Sequence, residues 1–460
     1  MKITYATFVL TASISASISR NDAMENQALG FSNRDVARYG SILATAASAC
    51  TTNSKDFKKV GYVASWAVER ASPCKYNIDS IDAYSYTHLI FAFVTIDKQT
   101  WAPKFISDAD ASVLSSMVNL KSKNPGLKIF LSVGGWSFND PGSGTETVFS
   151  QLAVSQTHQD AFSKGMLALL DDNRCDGVDI DWEYPGDTTR GGTSADKAHL
   201  AQWMATLAQA MRARGYGVSM TLPATAPHFD AGFELSALQE SADFFNIMTY
   251  DYHGTWDCAS ATGIQAHASL ADMASTIALL QADGVAPHKI VLGIPAYGRT
   301  YSLSSSACTT PGCGCQGPCN DAVGHGCSGS AATANYGDIQ MLLGQPNVKT
   351  WREEGNATSY ILYSNGQCWL SYCDAQDVQV LISFARSNCL GGVMIWSVDC
   401  DGSGGLKQAW AEGAAFDSSG GDSGGYGGSV FDLAVRKARL NFGWNFVVLA
   451  ELTMYFLSVQ

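Results

Sequence analysis

A chain of 460 residues, 46% apolar and 15% charged, has the make-up of a folded protein rather than a disordered one. It has room for a barrel-sized domain of roughly 250 residues plus an accessory piece. Its 42 acidic side chains outnumber 29 basic ones, and the net charge of -13 repels nucleic acid and anionic membrane surfaces while leaving a neutral polymer as a suitable partner.

In chain order, Lys2 is followed by the apolar and small-residue run from Ile3 to Ile18, which reads as a signal peptide over residues 1–19 and hence as export. The alternative is a leader without structure. Residues 20–57 have no clear period and are expected to be a linker or pro-segment. From Lys58 short apolar runs alternate with helical stretches, the pattern of a β/α fold with a parallel sheet. The runs Val60–Trp66, His88–Val94, Lys128–Val133, Gly177–Glu183, Gly217–Leu222, Phe244–Tyr250, Lys289–Pro295 and Gly392–Ser397 predict eight strands. Phe162, Met166, Leu169 and Leu170 share one helical face between them, and Leu200, Trp203, Leu207 and Met211 share another.

Eight buried strands with intervening helices predict a (β/α)8 TIM barrel over residues 58–414, with its chemistry at the C-terminal strand ends. A doubly wound sheet is the alternative, weakened because no G-x-G-x-x-G follows the first strand. The stretch from Tyr297 to Gly391 is too long for one helix and its loops. It predicts an inserted α+β domain at 301–388 between strands seven and eight, cysteine-rich at 308–327. Residues 415–460 begin as a Gly/Ser-rich linker and end in an apolar tail broken by Glu451, a poor membrane span. Small residues, a polar stretch and an apolar tail also match a GPI-anchor signal.

The centre of the chemistry is Asp176-Gly177-Val178-Asp179-Ile180-Asp181-Trp182-Glu183-Tyr184-Pro185. Side chains alternate across a strand, so Asp179, Asp181 and Glu183 share one face and Val178, Ile180 and Trp182 the other. In a barrel, three carboxyl groups then point inward and three apolar groups face the helices. Three stacked acids in a low-dielectric interior cannot all ionise cheaply, so at least one keeps a proton near neutral pH, as a general acid must. Glu183 lies nearest the C-terminal end, where substrate would sit. The alternatives are acids buried for stability against a basic partner, with only Arg174 near in sequence, or a cation site, for which no histidine cluster is present.

This segment matches the D-x-x-D-x-D-x-E signature of glycoside hydrolase family 18, which the chain resembles from about Lys58 to Ala414. Further matches fall in register: G-Y-V-A-S-W, L-I-F-A-F, S-V-G-G-W, M-T-Y-D, P-A-Y-G-R and G-G-V-M-I-W-S on strands one, two, three, six, seven and eight. The resemblance implies a chitinase that cleaves β-1,4-linked N-acetylglucosamine with retention, the substrate's own acetamido oxygen attacking the anomeric carbon to give an oxazolinium ion. It implies that Glu183 protonates the leaving oxygen and later activates water, that Asp181 holds the acetamido N–H, and that Asp179 tunes Asp181. Tyr250 would hydrogen-bond the acetamido carbonyl, with Met248 and Asp251 completing the subsite. Trp396 would form the floor under the cleaved sugar, and Tyr62, Phe93, Trp136, Tyr297 and Arg299 would line further subsites. No cofactor and no metal is implied, and the expected partner of a monomeric secreted enzyme is chitin or its oligosaccharides.

Trp369-Leu370-Ser371-Tyr372-Cys373-Asp374 resembles the W-x-S-Y-D-D segment that closes the extra α+β domain of processive-type members, with Cys373 in place of the first aspartate. Cys308, Cys313, Cys315, Cys319 and Cys327 could ligate zinc with His325. Their C-x-C and C-x3-C spacings instead favour a disulfide-stapled loop, and the odd total of thirteen cysteines leaves at least one thiol unpaired. That loop is similar to cysteine-rich insertions of fungal family members related to killer-toxin subunits. Gly421-Asp422-Ser423-Gly424-Gly425 spells a serine-protease motif but lies in the linker, without the strand and helix a nucleophile elbow needs. Asn356-Ala357-Thr358 is an N-glycosylation acceptor sequence, expected in a surface loop. A lectin without catalysis, a toxin subunit and an N-glycan endoglycosidase are the other functions open to this sequence.

Overall fold

The computed structural model describes residues 56–321, 326–402 and 404–412. The signal-peptide, pro-segment, linker, protease-motif and tail readings, and His325, lie outside these residues.

Fifteen strands follow one another: β1 (Lys58–Ala64), β2 (His88–Ile96), β3 (Pro103–Phe105), β4 (Lys128–Gly134), β5 (Gly177–Asp181), β6 (Gly217–Leu222), β7 (Phe244–Ile247), β8 (Ile290–Pro295), β9 (Tyr297–Leu303), β10 (Cys315–Gly317), β11 (Thr333–Asn335), β12 (Lys349–Glu353), β13 (Thr358–Tyr363), β14 (Cys368–Tyr372) and β15 (Gly392–Trp396). Eight of them pair in parallel in the order β1-β2-β4-β5-β6-β7-β8-β15, and β15 returns to β1 with Lys58 opposite Gly392, closing a (β/α)8 TIM barrel. Closure leaves no open edge, and hydrophobic runs such as Ile290–Pro295, buried at every residue, supply both barrel faces.

The outer layer is made by amphipathic helices. Gln156–Asn173 buries Phe162, Met166 and Leu170, while Leu169 is only partly covered. Asp196–Arg212 buries Leu200, Trp203, Leu207 and Met211. Between the two layers Trp182 stacks on Phe149 at 5.2 Å, so the apolar face of β5 turns outward as its alternation demands.

Several strand ends differ from expectation. The first strand stops at Ala64 because the chain winds into the short 3-10 helix Ser65–Val68, which lifts Trp66 to the surface. β5 ends at Asp181 and β7 at Ile247, so Glu183 and Tyr250 lie beyond the ladder, where the chain is free to turn toward the mouth. After β7 the turn is sharp: Thr249 and Tyr250 donate their N–H groups two residues back, and Asp251 takes a positive φ of 59°. β3, unforeseen, is a three-residue strand antiparallel to β2.

Between β8 and β15 a second, antiparallel sheet runs β10-β9-β14-β13-β12, with β11 on β9. β9 begins at Tyr297, two residues after β8 ends, so one nearly continuous segment joins barrel and insertion. Where the insertion sheet meets the loop after β7, Ile264, Tyr301, Leu303, Tyr360, Leu362 and Trp369 form a separate core. The cysteine-rich stretch is stapled by Cys74–Cys327, Cys258–Cys315, Cys308–Cys313 and Cys319–Cys368. Its five sulfurs are therefore not thiolates available to zinc. Cys175, Cys373 and Cys400 are free and buried. Asp374 caps the helix Ala375–Ser387 by accepting from the N–H of Asp377, whereas Cys373 packs inside with only a long contact to the Ala357 carbonyl.

The expected surface glycosylation loop is corrected. Asn356 is 8% exposed, its side-chain oxygen accepts from the N–H of Ala271, and Ala357 and Thr358 are fully buried.

Candidate active site

Asp179 sits at the base of the acid column, fully buried. Its Oδ2 accepts from Tyr62 Oη at 2.9 Å, Ser132 Oγ at 2.8 Å and Thr221 Oγ1 at 3.2 Å, and its Oδ1 from Ser219 Oγ at 2.6 Å and Asn246 Nδ2 at 3.3 Å. The parallel register creates this cage, since Asp179 lies opposite Ser132 on β4 and Ser219 on β6. Burial raises its pKa while the donors pull it down, and burial prevails.

One pleat higher, Asp181 is buried with Oδ1 lacking any hydrogen-bond partner. Burial, then the neighbouring Glu183 and Asp179, push its carboxyl well above the usual range. Glu183, 7% exposed at the mouth, is raised to about 7, chiefly by burial and against a bond from Tyr184. The pair therefore carries a proton near neutrality. Arg190 fixes the acid from behind: Nε donates to the Glu183 carbonyl at 2.8 Å, Nη2 to the Trp136 carbonyl at 2.5 Å and Nη1 to Asp140 at 3.1 Å.

Tyr250, partly exposed at the mouth, meets Tyr297 edge-on at 6.0 Å. Burial, then the charges of Asp181, Asp251 and Glu183, raise its phenol well above the ordinary value, so the hydroxyl keeps its proton to donate. Asp251 is gripped by Arg299 through Nε at 2.8 Å and Nη2 at 2.5 Å, with His267 Nδ1 3.3 Å away. Burial would raise this carboxyl, but the Arg299 charge and these bonds hold it well below the usual carboxylate range. Met248 is partly exposed on the same turn.

Opposite lies an aromatic wall. Trp396, at the end of β15, stacks on Phe93 at 5.7 Å and takes the edge of Tyr62 at 5.6 Å, while Trp66 stacks on Phe93 at 6.2 Å. Trp136 is 54% exposed with Arg190 3.6 Å above its ring. The expected site residues lie at different depths, from Asp179, fully buried at the base of the column, to Trp136 at the surface. Tyr62 is 2% exposed and faces Asp179 rather than open space. Three residues escaped sequence reading: Trp66, Trp256 and Arg190. The first two are 44% and 52% exposed, an exposure no spacing reveals, and Arg190 lies seven residues past Glu183 in a loop without period. Among the described residues no group of three or more His, Cys, Asp or Glu side chains is placed to hold a metal.

The family model for glycosyl hydrolases family 18 matches residues 58–401. The chain belongs to that family. Similar proteins include mouse chitotriosidase-1, 27% identical over 363 residues, or 75% of this chain and 73% of that protein. Among solved structures, catalytic domain 2 of the Ostrinia furnacalis Group II chitinase superposes with a TM-score of 0.72 at 24% identity, over 80% of this chain and 98% of that one. Human YKL-39, described as a pseudo-chitinase with retained chitooligosaccharide binding, superposes with a TM-score of 0.67 at 26% identity, over 78% and 99% of the two chains. The barrel, its acid column and the family membership agree on a glycoside hydrolase.

Proposed function

We propose that this family 18 enzyme is an endo-acting chitinase working with retention through an oxazolinium ion. The observation that carries the reading is the unpartnered, buried Oδ1 of Asp181 beside a Glu183 whose carboxyl stays protonated to about pH 7. An acetamido N–H of the substrate satisfies that oxygen, and the Tyr250 hydroxyl donates to the acetamido carbonyl, aiming it at the anomeric carbon. Glu183 gives its proton to the departing glycosidic oxygen, and the carboxylate it becomes then draws a proton from the water that opens the ion. Positioning an internal nucleophile in this way lowers a barrier by roughly 7–11 kcal/mol. Trp396 supports the distorted sugar from below, and Trp136, Phe93, Tyr297 and Arg299 line the neighbouring positions.

The enzyme is read as a secreted monomer. Four disulfides among the described residues suit an oxidising compartment, and no described helix is long and apolar enough to cross a membrane. Incubation with colloidal chitin and with the soluble hexamer of N-acetylglucosamine tests the assignment. Release of shorter oligomers whose initial anomer is β supports it. Tight binding without cleavage would instead make the protein a lectin, and cleavage of glycoproteins without action on chitin would make it an N-glycan endoglycosidase.

A further inference from the structure

The turn after β7 carries Trp256, 52% exposed, with the Arg299 guanidinium 5.0 Å from its ring. Since Arg299 holds Asp251, next to Tyr250, the indole flanks the acid site on the side of the insertion. Two features hold it there. A Cβ built on Gly254 would lie 2.4 Å from the ring, so the indole packs directly against that glycine. Two residues beyond the tryptophan, Cys258 is bonded to Cys315 on β10.

The anchorage extends through the rest of the cysteine-rich loop. Ile264 donates its N–H to the Cys313 carbonyl at 2.8 Å and accepts from Gly312 at 2.8 Å, a reciprocal pair inside the small loop closed by Cys308–Cys313. Gly263, at φ +62°, lets the backbones approach, since a Cβ there would lie 2.3 Å from the Cys313 carbonyl. Cys319–Cys368 ties the next residues to β14, and Cys74–Cys327 ties the end of the stretch to the loop after β1. The loop is thus fastened at one end to the Trp256 turn and at the other to the insertion sheet and barrel. Without such a crosslink an exposed tryptophan on a surface turn is free to swing, and part of any stacking energy is spent on ordering it.

We propose that the cysteine-rich loop is a specificity brace: the Cys258–Cys315 crosslink fixes Trp256 as a rigid stacking platform for a sugar beyond the cleaved unit, so that the loop selects long oligosaccharides over short ones. This rests on the chitinase reading. The brace acts on binding of the distal sugar and leaves the acid column untouched, so its signature is dependence on chain length.

The test compares hydrolysis of the N-acetylglucosamine hexamer with that of an aryl chitobioside. The paired substitution Cys258→Ser with Cys315→Ser should lower kcat/KM for the hexamer about tenfold, mostly through KM, and change the short substrate less than twofold. In a Trp256→Ala background the same cysteine substitutions should have no further effect, because the platform they steady is gone. Gly254→Ala offers an independent route: its φ of -168° suits any residue, so the added methyl acts only by displacing the indole and should reproduce the length-selective loss with the disulfide intact. Equal losses on both substrates, unchanged hexamer kinetics, or full additivity with Trp256→Ala would each overturn the brace. Failure of the unmodified enzyme to cleave either substrate would instead remove the chitinase reading.

Discussion

Arg190 holds Glu183 by its backbone, the guanidinium Nε donating to the glutamate carbonyl at 2.8 Å while the same group lies 3.6 Å above the Trp136 ring. One side chain therefore sets both the aim of the acid and the position of an exposed aromatic. A lysine carries the charge but not the planar fork that reaches two carbonyls and a carboxylate together. Arg190→Lys should lower kcat about 10- to 100-fold through misaimed proton transfer and raise KM through the loosened Trp136. Steady-state kinetics on the hexamer separate the two, and a variant altered in KM alone would show that Arg190 serves only the tryptophan.

The raised Glu183 carboxyl fixes the sign of a pH effect. The acid is loaded below about pH 7 and loses its proton above, so kcat/KM should fall tenfold per unit on the alkaline side. Glu183→Gln, which cannot give up or take back a proton, should lower kcat by about 10²–10⁴-fold and still bind oligosaccharide. A pH–rate profile with calorimetric binding to the variant checks both.

How much of this was readable beforehand differs by element. The acid column was legible because a strand has a strict two-residue period, and Asp179, Asp181 and Glu183 keep step with it while Val178, Ile180 and Trp182 fill the other face. Barrel closure was legible from eight apolar runs. The depth of Tyr62 was not, since an aromatic on an inward face lines a cleft or sits under it according to where the strand ends, and β1 ends two residues sooner than its apolar run. The donors around Asp179 come from four other strands, so only the register of the closed barrel assembles them. The staples of the cysteine-rich loop reach partners at separations up to 253 residues, beyond any local spacing rule.

The Asp251–Arg299 pair makes a stability prediction. Asp251 has a depressed folded pKa, so its contribution is fully present above the unfolded value of about 4 and is withdrawn as pH falls toward the folded one. Arg299→Gln removes the partner and strands the carboxylate, which should cost about 1.5–3 kcal/mol at pH 7. The deficit relative to the unmodified protein should shrink on acidification below pH 4. Urea unfolding from pH 3 to 7 measures this; a deficit constant across that range would mean that Arg299 acts through packing on Tyr297 and Trp256 instead.

Tyr62 is 2% exposed and faces Asp179, which makes its role a matter for kinetics. Its hydroxyl donates to Asp179, lies 2.9 Å from Thr221 Oγ1 and accepts from Asn246 Nδ2, while its ring edge abuts Trp396. Tyr62→Phe keeps the ring and so leaves the tryptophan floor in place. It removes one of the donors that oppose burial at Asp179, so the Asp179 carboxyl rises further and competes for the proton that its negative charge otherwise helps keep on Asp181. The expected result is a several-fold lower kcat, unchanged KM and an altered pH profile, with a stability loss of about 1–3 kcal/mol from the unsatisfied groups left behind. A rise in KM with kcat preserved would place Tyr62 among the sugar-contacting residues and remove it from the proton network.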